Sequence, residues 1–424
     1  MPKLLDALFQ KEVAGIYLDH QATDRPRPEA IDAVRRCMEH HYGNASALAH
    51  ARGQQSRRNL EYFRQVSAAA VQARGEALCF TSGATESNNL VIGSEARRPG
   101  AHLVVSAIEH KCVLESALRA RECGAKVSIL PVDSQGVIGV ETLERLIAEG
   151  ATFVSVMAAN NEIGTRQPLR EIARLCRQAG VRLHTDAAQA VGKMDLDMEA
   201  LGIDYLSFTA HKFGGPQGIG AVVFADKTRD QVQPLLVGGG QERGMRSGTT
   251  PIPLCAGMAA ASLLVARNMM SEIDHMRRMR DRLLDGLRGL GEFFTNSNVE
   301  HGLCNNLNGG FEGVSAMLLM RRMPEVHFSV GSACTSGAAA SHVLTALGLP
   351  RKRIDASFRL SVGWCTTEDE VDQAVAAFAR ALQTIPRVRT AGVHTESSQG
   401  LVAAAKLDES IESPALDAAG AAQA

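Results

Sequence analysis

The chain has 424 residues, 45% of them hydrophobic and 21% charged, with a formal net charge of −1. That length suits two or three domains, and the near-neutral balance supplies no global field to gather nucleic acid or an anionic membrane, so neither is an expected direct partner. The nine cysteines include no CxxC pair, which argues against a zinc site (no metal is expected) and a disulfide framework, and suits a reduced compartment.

No apolar stretch approaches the roughly 20 residues that cross a bilayer. The N-terminus lacks a basic region followed by an apolar core, because Asp6 and Glu12 interrupt it. A soluble, cytoplasmic protein is the expectation. Ile16 to Asp19 reads as a short strand, followed by a proline-marked loop and a helix over Glu29 to His41. A second helix is expected over Gln54 to Ala73. Seven short apolar runs then alternate with amphipathic stretches: Ala77–Phe80, Leu103–Ser106, Lys126–Leu130, Phe153–Met157, Val181–Thr185, Tyr205–Thr209 and Gly220–Ala225. Strands alternating with helices predict βαβ units around a mostly parallel sheet covered on both faces. An Ala-rich helix over Pro253 to Arg267 precedes a change of pattern, in which Ile273, Met276, Met279, Leu283, Leu284, Leu287 and Leu290 form a helical stripe. We expect a large domain over 16–265, a smaller α+β domain from 1–15 and 266–388, and a flexible tail over 389–424.

In such a sheet, ligands sit beyond the carboxyl ends of the strands, and here those ends carry a coherent set of polar residues. The first run enters TSGATESNN, where Gly83, Ala84 and Thr85 open a helix and can receive a phosphate on free N–H groups; a cap by Thr81 or Ser82 is the plainer alternative. The next end carries Glu109-His110, a ring that can stack and handle protons or merely serve structure. Asn160 and Asn161 follow Phe153–Met157, where an amide can bond a phenolic oxygen or make a turn. Asp186, three residues before Gln189, can keep a pyridinium nitrogen protonated or cap a turn. Lys212 then stands before the glycine-rich Phe213–Gly220 loop, where a partly desolvated amine can form a Schiff base. Together these five features fit one ligand, pyridoxal 5′-phosphate.

Five cysteines (37, 79, 112, 176 and 255) fall in expected helices or strands and read as small buried hydrophobes. Cys365 precedes a capping box, Thr367-x-x-Glu370, and Cys304 adjoins an Asn pair. Cys334 differs: it lies in SVGSACTSGAAASH, without apolar period, as expected for an exposed, mobile loop with a reactive thiol. Arg359, in the strand Ser357–Ser361, suits either a substrate carboxylate or a structural salt bridge.

These residues resemble the pyridoxal-phosphate-dependent cysteine desulfurases of the NifS/IscS type. TSGATESNN, NNEIG (160–164), HTDAAQAVGK (184–193), HK with its glycine loop (211–220), GGGQERGMRSGT (238–249), GSACTSG (331–337) and FRLSVG (358–363) stand in that family's order, and the likeness spans roughly residues 16 to 385. The resemblance implies an α/β, PLP-dependent transferase fold of type I that takes sulfur from L-cysteine, releases L-alanine and leaves a persulfide on Cys334. A sulfur-acceptor protein such as an iron–sulfur scaffold would then receive the sulfur. It further implies Lys212 as Schiff-base residue, Asp186 at the pyridine nitrogen, Gln189 at the phenolic oxygen and His110 on the ring. Ala84, Thr85, Thr209 and His211 would hold the phosphate, with Thr249 reaching the partner's phosphate in a homodimer. Arg359 and Asn161 would hold the substrate carboxylate.

The chain departs from the family pattern at His20 and Asp24 (for Tyr and Thr), at Ala45 and Gln241, and in a stretch after Cys334 that is one residue short. A selenocysteine lyase, another class V PLP enzyme and an inactive sulfur-transfer scaffold are the competing readings.

Overall fold

The computed structural model describes residues 13–229, 231–330 and 340–385. Cys334, the first 12 residues and the proposed tail therefore lie outside the described residues. Thirteen strands form three sheets among those described.

The seven expected runs all pair in one sheet. β1 (Ile16–Tyr17) stands apart from it; β2 (Leu78–Thr81), β3 (His102–Ser106), β4 (Lys126–Leu130), β5 (Phe153–Ser155), β6 (Arg182–Asp186), β7 (Tyr205–Thr209) and β8 (Gly220–Phe224) assemble in the order β2-β8-β7-β6-β5-β3-β4. All neighbours are parallel except β8, which runs antiparallel to both β2 and β7. Helices cover the sheet, so the central strands are buried along their whole length and read as unbroken apolar runs. Only edge strand β4 opens to solvent, exposing Lys126 and Ile129.

The covering helices explain their own positions. α1 (Pro28–His40) and α2 (Ala51–Ala69) come first, followed by α3 (Ala84–Ala96), α4 (Lys111–Glu122), α5 (Val140–Ala148) and α6 (Leu169–Ala179). On α6 the spacing of Leu169, Ile172, Ala173, Leu175 and Cys176 buries one stripe, and Gly180 ends the helix in the left-handed region at φ 70°.

The Ala-rich helix and the following apolar stripe prove to be a single element, α7 (Ile252–Arg288, 37 residues), because no proline interrupts the turns between them. It packs on α1 and α2. Its first half enters the same core as the large sheet, and its second half places Ile273, Met276, Met279, Leu283, Leu284 and Leu287 in another core. Contrary to expectation, α7 is long and apolar enough to cross a bilayer by length and composition, and half of that apolar window is buried inside the protein.

The second core lies under an antiparallel sheet of β9 (Phe293–Thr295), β10 (Asn306–Phe311), β12 (Ser329–Val330) and β13 (Ser357–Ser361). Phe311, Phe328, Phe358 and Phe378 fill it, with the Phe358 and Phe378 rings 5.3 Å apart. Phe378 comes from α9 (Glu368–Thr384), which starts with the expected capping box of Thr367 and Glu370. The short helix α8 (His342–Ala346) lies between these elements in sequence. β1 pairs in parallel with β11 (Val326–His327), and Leu18 joins the second core.

One close approach connects the large sheet to the start of α3. A Cβ on Gly220 would stand 2.6 Å from both the Gly83 Cα and the Phe208 carbonyl oxygen. Gly220→Ala forces β8 and the α3 entry apart, and overpacking of this kind costs about 1–3 kcal/mol. The expected outcome is a lower urea midpoint with an unchanged m-value; an unchanged midpoint would refute the packing argument.

Candidate active site

The carboxyl ends of β3, β5, β6 and β7 open on one side of the large sheet, and the predicted polar residues gather there. α3 begins at Ala84 with Gly83 at its cap, at φ 155° and with no side-chain cap bond. Neither Thr81 nor Ser82 serves as a side-chain cap of the helix. Thr81 instead bonds Ser87 at 2.8 Å, and the Ser82 N–H goes to Glu86. The Gly83 N–H goes to Thr81 Oγ1 at 3.3 Å, and the N–H groups of Ala84 and Thr85 form the kind of helix start that receives an anion. Thr209, at the end of β7, lies beside it: its Oγ1 would be 3.6 Å from a Cβ on Gly83.

Lys212 sits in a 3₁₀ turn, Ala210–Lys212, directly after β7 rather than in the strand itself. Its Nζ donates to the carbonyls of Gln21 (2.6 Å) and Ala22 (2.8 Å). Its own carbonyl accepts from Lys193 Nζ at 2.7 Å, so a second, buried lysine fixes the main chain of the first. Burial lowers the Lys193 pKa, while Asp24 opposes that shift. The adjoining His211 bonds Thr23 through Nδ1 at 3.2 Å, and burial together with Lys212 and Lys193 lowers its pKa to about 4.

Asp186 ends β6, 3% exposed, with each oxygen held: Oδ1 accepts from the Ala188 N–H at 2.8 Å and Oδ2 from Asn88 Nδ2 at 2.7 Å. Asn88 also approaches Cys112 Sγ at 3.2 Å. His110 caps α4, its Nδ1 accepting from the Cys112 N–H. Asp186 and Lys212 both act electrostatically on the His110 ring, which places all three in one neighbourhood. Gln189 donates from Nε2 to the Gln21 carbonyl at 3.0 Å and leaves Oε1 buried without a partner among the described residues.

Arg359 is 3% exposed and already engaged: Nη2 pairs with Asp19 at 2.6 Å and Nη1 donates to the Asn161 carbonyl at 2.7 Å. Both sequence alternatives therefore bear on it, since the salt bridge exists and Nε still lacks a partner. Thr249 is exposed on the surface.

Sequence reasoning missed several of these residues. Asn88 lay within a quoted motif, yet nothing in its spacing showed that it would reach Asp186. Cys112 is only partly buried and lies in the site; expecting it to be a small buried hydrophobe was wrong, because the α4 cap turns its thiol toward His110 at 3.0 Å. Cys37, Cys79, Cys176 and Cys255 are buried as expected. The two departures at His20 and Asp24 form one feature, a buried pair with Nδ1 and Oδ1 2.6 Å apart.

The class-V aminotransferase family matches residues 16–374. A cysteine desulfurase of Homo sapiens is 40% identical over 88% of this chain and 82% of its own length. The cysteine desulfurase IscS of Rickettsia prowazekii is 38% identical over 85% and 89%. Among solved structures, a NifS-like protein superposes with a TM-score of 0.82 at 32% identity, covering 88% of this chain and all of that one. A structure described as SspA in complex with cysteine gives 0.73 at 30% identity, over 83% of this chain and 99% of its own. The chain belongs to the cysteine desulfurase family.

Membership accounts for the anion-ready corner, the engaged aspartate and the lysine turn, but Glu109 adds something that the motifs did not signal. It is fully buried, Oε1 accepts from the Met157 N–H at 2.6 Å, and Oε2 has no partner among the described residues. Burial, then the nearby Asp186, pushes its carboxyl well above the usual range. A raised folded pKa means stability that is fully present below the unfolded value, about 4.5, and is lost as pH rises through the folded value. Glu109→Gln removes that dependence. Urea midpoints across about pH 4.5–8 should show the wild type falling relative to the variant as pH rises; parallel curves would rule it out.

Proposed function

We propose that the chain removes sulfur from L-cysteine and releases L-alanine, with pyridoxal 5′-phosphate as its cofactor and Cys334 as the residue that receives the sulfur. The observation that carries this reading is the convergence of Lys212, Asp186 and His110 at the carboxyl ends of β7, β6 and β3.

The residues suit the cofactor on their own terms. The uncapped start of α3 offers N–H groups to a phosphate, with Ala84 and Thr85 in its first turn and Thr209 beside it. His211, in the turn after β7, would complete that set. The Asp186 carboxylate, oriented by Asn88 and the Ala188 N–H, suits a ring N–H. Buried Oε1 of Gln189 and Oδ1 of Asn88 lack partners among the described residues, as polar atoms awaiting a ligand do. When bound, the cofactor supplies an electron sink for charge developing on the substrate's α-carbon.

The chain's own residues have separate tasks. Lys212 Nζ leaves the Gln21 and Ala22 carbonyls to take and return the substrate's α-proton. Asp186 would face the ring nitrogen and accept its N–H. His110 covers the ring face and Gln189 meets the phenolic oxygen. Arg359 and Asn161 orient the substrate carboxylate, with Asp19 steadying the guanidinium. The Cys334 thiolate takes the substrate sulfur as a persulfide, and the remaining three-carbon unit leaves as alanine. That the SspA relative was solved with cysteine supports the choice of substrate. Exposed Thr249 supports a homodimer in which it meets the partner's phosphate site. A cytoplasmic location and transfer of sulfur to an acceptor protein complete the proposal.

Cys334→Ala is expected to retain the cofactor's visible absorbance and to lose at least about a thousandfold in alanine formation from cysteine, the scale on which removal of a nucleophile acts. Mass spectrometry of the wild type after cysteine should show one added sulfur on the Cys334 peptide. A variant with full alanine output and no such adduct would overturn the assignment. Alanine from selenocysteine alone would favour a lyase, and absence of both cofactor absorbance and turnover would favour a scaffold.

A further inference from the structure

His110 is the N-cap of α4, and an N-cap side chain must accept. The Cys112 backbone N–H lies 3.2 Å from Nδ1, and a backbone N–H has no option but to donate. Cys112 Sγ lies 3.0 Å from the same nitrogen. Burial pushes the Cys112 thiol up to about 12, so it keeps its hydrogen. The amide of Asn88 faces the other side of that sulfur at 3.2 Å and donates to Asp186 with its second hydrogen. The Thr85 side chain also bonds this sulfur, so Asn88 and Thr85 both face Cys112, and the Cys112 thiol faces His110.

We infer that the first turn of α4 locks the tautomer of His110: the Cys112 N–H and thiol both occupy Nδ1, so the ring carries its proton on Nε2 and serves the active site as a hydrogen-bond donor rather than a proton acceptor. Cys112 is thereby a positioning residue acting through His110. A neutral imidazole has a single basic nitrogen, and here the cap holds it. The task of accepting the substrate's α-proton then falls to Lys212 alone.

The surroundings agree. Burial is the largest influence on the ring and keeps it neutral; Lys212, His342 on α8 and Lys111 all push the same way, and only Asp186 favours the imidazolium. His342 is fixed by its own bond from Nε2 to the Glu109 carbonyl at 3.0 Å.

The catalytic consequence rests on the proposed placement of the cofactor against His110, whereas the tautomer itself does not. The test therefore reads the ring directly, in cofactor-loaded full-length protein labelled with ¹⁵N-histidine, with the His110 signals assigned by their loss in His110→Asn. Long-range ¹H–¹⁵N correlation spectra should show protonated Nε2 and unprotonated Nδ1 at about pH 6–8. In Cys112→Ala the same tautomer persists, because the backbone donor remains, but the ring protonates about half to one pH unit higher, the size of one lost hydrogen bond. Cys112→Ser restores the original value. A protonated Nδ1 in the wild type, an imidazolium at neutral pH, or Cys112→Ala titrating as wild type would overturn the inference. Failure of the desulfurase reading would show instead as absent turnover with this tautomer intact.

Discussion

The structure depends on the short segment of residues 18–24, which joins the small sheet to the lysine turn. Leu18 is buried in the second core, and its carbonyl accepts from the Ser361 N–H on β13. The His20 and Gln21 N–H groups return to Ser361. The same stretch presents the carbonyls of Gln21 and Ala22 to Lys212, and the Asp24 N–H meets the His211 carbonyl at 2.8 Å. Obligatory main-chain donors and acceptors thus specify where the reactive amine rests. His20 and Asp24 in this segment pair with each other. The His20–Asp24 pair closes a turn whose ring fits only because Gly363 lacks a Cβ, which would otherwise stand 2.1 Å from His20 Nδ1.

The site shows how two neighbouring buried carboxyls differ in the donors they receive. Glu109 and Asp186 are both nearly inaccessible to water. Glu109 receives one backbone N–H on one oxygen and nothing on the other, so desolvation prevails and it favours the neutral form. Asp186 receives a donor on each oxygen, the arrangement that stabilises charge. Two like charges so close would oppose each other; a neutral Glu109 places no second charge beside Asp186.

Much of this was legible in the chain. Every strand of the large sheet was visible, because strands buried on both faces leave continuous β-branched and apolar runs bounded by turn residues. Lys212, Asp186 and His110 were visible because each directly follows such a run. The continuity of α7 was not: its two halves feed different cores, so its apolar stripe changes face and imitates two helices. Asn88, Lys193 and Cys112 escaped because their roles are contacts between residues far apart in sequence, or a rotamer at a cap. Periodicity carries neither kind of information. The alternative at Arg359, salt bridge or substrate clamp, assumed two roles that exclude each other, yet the guanidinium has donors enough for both.

That surplus of donors suggests why Arg359 stands where it does. Its Nη2 reaches Asp19 and, at 3.1 Å, Ser329, whose hydroxyl also meets Asp19 at 2.8 Å. Ser329 belongs to β12, the last described element before residues 331–339. On the far side of those residues, Ser341 caps α8 and gives its hydroxyl to buried Glu162, which adjoins Asn161 in the NNEIG motif. Asn161 in turn offers its carbonyl to Arg359. The two ends of the segment bearing Cys334 are therefore tied, through Asp19 and Glu162, to the residues proposed to hold the substrate carboxylate. Arg359, Asp19 and the Asn161–Glu162 backbone thus connect the described residues on either side of 331–339.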